Sequence, residues 1–163
     1  MENRTIIISG PINSAVATMV CLKIEKLALE SKEDIYVKIS SYGGCIASML
    51  AIVDCFDTVP NDIVTIVKGK AMSAGSFISV HGTPGKRYAH SNASYMFHEP
   101  NGFAELTEKG IEHMMYVKEL TTKLLAERTG LSIAEMEKIA DRDFYTFASD
   151  LIDHPGSFVD HLV

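Results

Sequence analysis

The 163-residue sequence contains no tryptophan, five prolines and three cysteines. It has no apolar run near the roughly 20 residues that span a membrane, and no charged leader before an apolar core of the kind that marks a secretory signal. Cys21, Cys45 and Cys55 are odd in number and lack CxxC spacing, which favours a reducing compartment over a disulfide framework. We therefore expect a cytoplasmic protein that does not contact a membrane.

An excess of positive charge is also missing. The 15 lysines and arginines are scattered and are outnumbered by 21 acidic residues, giving a net charge of −6. Because phosphate binding needs a concentrated positive face, we expect no nucleic-acid partner. The six histidines are dispersed and suggest no metal cluster, and we expect no cofactor. The length and the 47% hydrophobic content suit one compact domain, residues 1–163.

The first half of the chain alternates short β-branched runs with amphipathic segments, which predicts an α/β fold. Parallel strands joined by right-handed crossovers follow from the alternation. The predicted elements are strands at 5–9, 35–39 and 63–67, a helix at 14–30, a helix carrying Ile46 to Phe56, and a buried helix at 71–80.

The second half begins with two predicted short strands, at 87–89 and 95–97. A long helix over 107–129 follows, and Gly130 ends it. The Ser132-Ile133-Ala134-Glu135 sequence is a capping box that starts a helix reaching about Ala140. A last strand is predicted at 158–160.

Three chemically suggestive side chains lie far apart along this chain. Ser73 stands among the small residues of Ala71-Met72-Ser73-Ala74-Gly75, His98 follows a strand, and Asp143 lies further on. Serine, histidine and aspartate are the nucleophile, base and orienting group of a serine hydrolase. The residues alone leave alternatives open: Ser73 could simply cap a helix, Asp141 could replace Asp143, and five other histidines compete as the base. These are His81, His90, His113, His154 and His161.

The Tyr42-Gly43-Gly44-Cys45 turn adds a fourth feature. Two glycines at a strand-to-helix junction permit positive φ and expose backbone N–H groups, which can bind an oxyanion or a phosphate. The spacing matches neither G-x-G-x-x-G nor a P-loop, so a nucleotide site is disfavoured. A simple tight turn remains the other interpretation.

Taken together, these segments resemble the proteolytic subunits of Clp protease (ClpP). The resemblance runs through nearly the whole chain. It is carried by residues 4–10, 34–44, 69–77, 85–89 and 91–100, and by Asp141-Arg142-Asp143.

The resemblance implies a crotonase-like fold with repeated ββα-type units and a protruding strand–helix handle at about 99–129. It also implies a homo-oligomer, built as a heptameric ring or double ring, that degrades peptides or unfolded proteins. An AAA+ unfoldase is an implied partner. Arg142 matches a residue that pairs across subunits and couples assembly to the alignment of the catalytic residues.

The resemblance also assigns roles within the active site. Ser73 is implied as nucleophile, His98 as general base and Asp143 as orienter. The backbone N–H groups of Gly44 and Ala74 match the family's oxyanion hole.

The sequence departs from the family pattern at the glycine turn, at the residue after Ser73 and at the N-terminus. Tyr42 replaces a proline of the usual Ser-Pro-Gly-Gly turn, and Ala74 stands where the family often has methionine. The first predicted strand begins as early as Thr5, so we expect a short form that lacks the family's usual N-terminal segment and hydrolyses peptides independently of ATP. Two alternatives stay open: a non-catalytic Clp-like regulatory subunit, and an acyl-CoA hydratase or isomerase of crotonase type.

Overall fold

A computed structural model describes residues 2–101 and 107–163 of the chain. Its elements, in chain order after a 3-10 turn at Glu2–Arg4, are β1 (Thr5–Ser9), α1 (Ser14–Glu30), β2 (Ile35–Ser41), α2 (Ile46–Thr58), β3 (Ile63–Met72), α3 (Ala74–Val80), β4 (Arg87–Ala89), β5 (Ser94–Phe97), α4 (Glu108–Thr129), α5 (Ile133–Ala140), β6 (Phe144–Phe147), α6 (Ala148–Leu151) and β7 (His161–Leu162).

A parallel sheet forms the centre, with strand order β1-β2-β3-β4-β7. β5 pairs in parallel with the far end of β3, and β6 lies antiparallel to β5. The buried side chains of β2 alternate along the strand, at Ile35, Val37 and Ile39, as expected when one sheet face packs on helices. This architecture confirms the predicted α/β fold.

The helix ends follow the local signals in the sequence. Asn13 caps α1 by accepting a hydrogen bond from the Val16 backbone N–H at 3.0 Å. Thr107 caps α4, and Gly130 ends it in the left-handed conformation at φ 76°. The capping box of Ser132 and Glu135 is present and opens α5. The predictions for these helices are therefore confirmed.

β3 is longer than predicted, and the helix after it is shorter. The strand continues past Val67 to Met72, so the predicted helix over 71–80 begins only at Ala74. The physical reason is a change of partner along β3. Thr65–Val67 pair with β4, whereas Lys70–Met72 pair with β5, and Gly69 at φ 75° lies between the two stretches.

The C-terminal part contains two elements that were not predicted, β6 and α6, and one strand that was predicted in the wrong place. The last strand is His161–Leu162 rather than residues 158–160. Phe158 and Val159 are instead buried in the core, and their side chains supply the apolar character that suggested a strand. The helical part of the predicted handle is α4, and most of its strand part falls on residues outside those described.

No helix in the described ranges has the length and hydropathy needed to cross a membrane.

An ion pair attaches the C-terminal end of the chain to the sheet. Arg87 is 3% exposed, and its guanidinium donates hydrogen bonds to both carboxylate oxygens of Asp160, at 2.8 and 2.6 Å. Its remaining nitrogen donates to the Arg128 backbone oxygen, which links β4 to the end of α4.

His81 makes the fold sensitive to acid. Its side chain is 2% exposed, Nδ1 lies 2.8 Å from the Phe77 backbone oxygen, and Nε2 has no partner within the described part of the chain. Burial lowers the pKa of His81 to about 4, with Arg128 contributing to the decrease. The folded state therefore resists protonation at His81 more strongly than the unfolded state does.

We expect His81 to lower stability as the pH falls from about 6.5 towards 4, and to have no such effect above pH 7. Between pH 7 and pH 5 the loss should be about 2 kcal/mol. Urea unfolding of the parent protein and of His81→Asn at both pH values measures it. A pH dependence that is the same in the two proteins would contradict the assignment.

Candidate active site

Ser73 occupies a sharp turn between β3 and α3. Its backbone has φ 52° and ψ −123°, and it is the one non-glycine residue with positive φ in the described ranges. Such a conformation costs about 1–3 kcal/mol and persists only where the surroundings impose it. Here the Ser73 N–H donates to the Met96 backbone oxygen at 2.9 Å. The buried Ser76 hydroxyl lies 2.7 Å from the Ser73 backbone oxygen and 2.8 Å from that of Met96.

The pairing of β3 with β5 brings His98 to this serine. Met72 is opposite Met96, and the next residue, Ser73, donates its N–H to the Met96 oxygen. Ser73 therefore lies at the end of β5 that leads into His98. His98 Nε2 is 2.8 Å from Ser73 Oγ, a hydrogen-bond distance. The structure thus brings together two of the residues that the sequence analysis selected.

The glycine turn lies directly against the serine. The Ser41 hydroxyl accepts from the Gly43 N–H at 3.0 Å and donates to the Gly10 backbone oxygen at 2.6 Å, which holds the turn in place. A Cβ on Gly43 would lie 2.8 Å from Ser73 Cβ and 3.0 Å from the Ala74 nitrogen. Only a residue without a side chain allows the backbone to approach so closely.

Gly44 is tied to the chain on its other side. It forms a parallel bridge with Ile12, and a Cβ at Gly44 would lie 2.1 Å from the Ile12 backbone oxygen. Gly44 and Ala74 both line the cleft that contains Ser73. Neither of their backbone N–H groups donates a hydrogen bond to residues 2–101 or 107–163. These amides are available to a ligand.

The cleft itself is lined mostly by apolar side chains and is partly open to solvent. Ser73 and His98 lie in it, and α4 and α5 provide much of its wall. The large hydrophobic side chains in its lining are Ile46, Met49, Phe77, Phe97, Leu125 and Met136. An extended, partly apolar ligand suits such a cleft.

Asp143 directly precedes the last residue pair of β5 and β6, and its carboxylate makes no hydrogen bond to the His98 ring among the described residues. β5 and β6 pair Phe97 with Phe144, so their neighbours His98 and Asp143 face each other where the ladder ends. Asp143 is exposed, and no hydrogen bond or ion pair joins it to the residues that the structure describes. Arg142 is 92% exposed and contacts Asp141, which is itself exposed, at 3.8 Å.

Asn101 is a residue that the sequence analysis missed. Its Nδ2 lies 3.4 Å from His98 Nδ1, the ring nitrogen that faces away from the serine. No motif marks an asparagine three residues after a histidine, so its proximity emerges only from the loop conformation.

The five competing histidines are placed elsewhere. His81 is buried against Phe77, His154 Nδ1 accepts from the Gly156 N–H, and His161 Nε2 lies 3.0 Å from the Gly85 oxygen. Neither these three nor His90 and His113 form a hydrogen bond with Ser73 within the described chain. The described residues also contain no group of three or more His, Cys, Asp or Glu that could hold a metal ion.

A serine at a strand–turn–helix junction, hydrogen-bonded to an imidazole beside free amides, is the arrangement that serine hydrolases of α/β architecture use. Comparison with known proteins identifies one family within this class of hydrolases. The model of the Clp protease family matches residues 1–161. The "ATP-dependent Clp protease proteolytic subunit" of Streptococcus sanguinis (strain SK36) is 32% identical, over 100% of this chain and 86% of its own length. The protein of the same name from Streptococcus pyogenes serotype M5 (strain Manfredo) gives the same values.

The chain therefore belongs to the Clp protease family, whose members are serine endopeptidases.

Proposed function

We propose that this chain is a single-domain, cytoplasmic peptidase subunit that hydrolyses peptide bonds in peptides and unfolded proteins. Ser73 is the nucleophile and His98 the general base. The observation that carries the proposal is the 2.8 Å contact between Ser73 Oγ and His98 Nε2, beside two amides without hydrogen-bond partners in the described chain. Membership of a serine endopeptidase family supports it.

In this proposal, the reaction starts when Ser73 Oγ attacks the carbonyl carbon of the substrate. His98 Nε2 takes the hydroxyl proton, and the N–H groups of Gly44 and Ala74 stabilise the oxyanion. His98 then gives its proton to the leaving amine, which departs and leaves an acyl-enzyme. Water, activated by the same imidazole, attacks the acyl group and restores the Ser73 hydroxyl. These steps consume no nucleotide.

Asp143 has the role of orienter in this proposal. Its position supports the role, because Asp143 and His98 are the residues that flank the last pair of β5 and β6, Phe97 with Phe144. A carboxylate there stabilises the imidazolium that forms as the serine proton moves. Arg142, exposed beside it, is proposed to pair with a neighbouring subunit and so to link assembly to the position of this segment.

We further propose that the chain assembles into a heptameric ring or double ring, to which an AAA+ unfoldase can deliver substrate. The name of the relatives contains the words "ATP-dependent", which supports such a partner. The surface of α4 supports self-association, because Ile111, Met115 and Tyr116 are 52%, 60% and 61% exposed. Apolar side chains grouped in this way are typical of contact surfaces.

Covalent labelling tests the nucleophile. A fluorophosphonate should modify the protein with one adduct per chain, and peptide mapping by mass spectrometry should place the adduct on Ser73. Pretreatment should abolish peptide hydrolysis in proportion to labelling, while acyl-CoA substrates should not be turned over. An adduct on another residue, or full activity after complete labelling, would exclude this mechanism.

Mass photometry tests the assembly. We expect particles several times the 17.9 kDa mass of the chain. Replacing Met115 with glutamate should shift the distribution towards smaller species, because burying a charge in an apolar contact is costly. The matched control, Glu112→Gln on the same helix, should leave it unchanged. A parent protein that is monomeric at micromolar concentration would refute the ring proposal.

A further inference from the structure

The ring nitrogen of His98 that faces away from Ser73 is contacted by a side chain with no assigned role. Nδ1 of His98 lies 3.4 Å from the amide nitrogen of Asn101, whereas Asp143 makes no hydrogen bond to the imidazole among the described residues. A general base in a serine hydrolase needs a group at this nitrogen, because that group fixes both the ring orientation and the tautomer.

The loop that carries Asn101 is attached on two sides. The Glu99 backbone N–H donates to the Ala140 oxygen at the end of α5, at 3.0 Å. The Glu99 carboxylate pairs with Lys118 of α4 at 2.5 Å. Pro100 then fixes one backbone torsion before Asn101. These contacts anchor the backbone that leads into Asn101, whose own side chain is exposed.

An amide can serve either tautomer of the imidazole, which a carboxylate cannot. With its NH₂ towards Nδ1, Asn101 donates, so the ring proton is on Nε2 and His98 cannot accept the proton of Ser73. A half-turn of the amide places Oδ1 against Nδ1 instead. The ring proton then stays on Nδ1, and the Nε2 lone pair faces the Ser73 hydroxyl.

We propose that Asn101 is a positioning residue for His98, which rests on the proposed function of His98 as base. Its amide holds Nδ1 and keeps Nε2 directed at Ser73 while the Asp143 carboxylate is not engaged. Asn101 and Asp143 are alternative partners of the same nitrogen. The amide keeps the ring aligned, and the carboxylate additionally stabilises the imidazolium.

This division of roles predicts how substitution of Asn101 affects the charged form of the His98 ring. The charged residues on the segments next to His98 are Glu99, with its partner Lys118 on α4, and Asp141, Arg142 and Asp143 between α5 and β6. A new carboxylate at position 101 would be closest to Nδ1, and it would favour the protonated ring.

Steady-state hydrolysis of a fluorogenic peptide, measured from pH 5 to 9, tests the proposal on the assembled protein. Asn101→Ala should lower kcat by roughly tenfold to a hundredfold with little change in KM, since the base loses its alignment. Asn101→Asp should restore kcat near neutral pH and move the acid limb of the kcat/KM profile upward by about one pH unit. Asn92→Ala, which removes an exposed asparagine from the turn before β5, is the matched control and should match the parent.

Combination with Asp143→Ala completes the test. Because the two side chains share one nitrogen, the double variant should lose more activity than the product of the two single losses. Unchanged kcat and an unchanged pH profile in both Asn101 variants would overturn the proposal. Fluorophosphonate labelling of Ser73 in the parent separates this outcome from failure of the proposed function, because labelling would persist in the first case and be absent in the second.

Discussion

Replacing Ser73 with alanine is expected to lower kcat for peptide hydrolysis by about 10⁶-fold, the largest effect of any single substitution in this chain. The hydroxyl is the group that becomes acylated in the proposed mechanism, and no other serine has an imidazole within hydrogen-bond distance in the described ranges. Binding should survive, because the apolar cleft and the amides of Gly44 and Ala74 are untouched. The measurement is initial-rate hydrolysis of a fluorogenic peptide, with peptide binding followed separately by fluorescence anisotropy.

Two companion variants make this result interpretable. Ser91→Ala removes an exposed hydroxyl away from the cleft and should leave kcat unchanged. Ser73→Gly should be as inactive as Ser73→Ala but more stable by about 1 kcal/mol, since glycine adopts φ 52° without the strain that a Cβ imposes. Substantial hydrolysis by purified Ser73→Ala would remove Ser73 from the mechanism.

The stability gain expected for Ser73→Gly comes from backbone strain at position 73. A residue held in a strained turn by its neighbours costs stability, and in the proposed mechanism this turn presents the half-buried Ser73 hydroxyl to the substrate. The Ser76 hydroxyl and the Met96 backbone oxygen provide the hydrogen bonds that hold the turn. The strain at Ser73 is thus maintained by hydrogen bonds to neighbouring residues.

The sequence predicted an element correctly where residues within or next to that element determine its ends. The caps at Asn13 and Thr107, the left-handed Gly130 and the capping box of α5 all act within a few residues of the helix end. The β-branched runs of β1 and β2 are similarly self-contained, and their parallel pairing follows from the helix between them.

The sequence did not predict an element correctly where contacts between distant parts of the chain determine its structure. Lys68, Gly69 and Lys70 look like the end of a strand, but β3 continues through them because β5 provides a new partner there. Residues 144–147 have the aromatic and β-branched composition of a strand, yet β6 depends on pairing with β5, fifty residues earlier in the sequence. Phe158 satisfies the hydrophobic pattern of a strand by packing in the core.

The candidate site was likewise predictable only in part from the sequence. Resemblance to a family selected Ser73, His98, Gly44 and Ala74, and the backbone pairing of β3 with β5 explains how the serine and the histidine meet. The register of β5 and β6 brings Asp143 opposite His98, but a register does not specify a rotamer. The Asn101 contact depends on how Glu99 is tied to α4 and α5, and no sequence pattern encodes it.

Replacing Gly44 with alanine is expected to have the second largest effect, reducing kcat by at least 10²–10³-fold, the usual effect of losing one oxyanion donor. An added Cβ would lie 2.1 Å from the Ile12 backbone oxygen and 2.8 Å from its nitrogen. Neither atom can withdraw without breaking the Ile12–Gly44 bridge, so the turn must move and take the Gly44 N–H with it. The same displacement should lower the free energy of unfolding by about 1–3 kcal/mol.

Gly10→Ala is the matched control, because Gly10 also has positive φ, at 80°, but an added Cβ would meet nothing within 4 Å. It should lose stability through backbone strain alone and keep its kcat. If Gly44→Ala unfolds, Gly43→Ala offers a second route, since its Cβ would approach Ser73 Cβ at 2.8 Å and the far side of the turn would be spared. Thermal unfolding and peptide hydrolysis of all three variants separate the effect of backbone strain from loss of the proposed oxyanion site. A Gly44→Ala protein that folds and retains activity within tenfold of the parent would show that the Gly44 amide takes no part in the reaction.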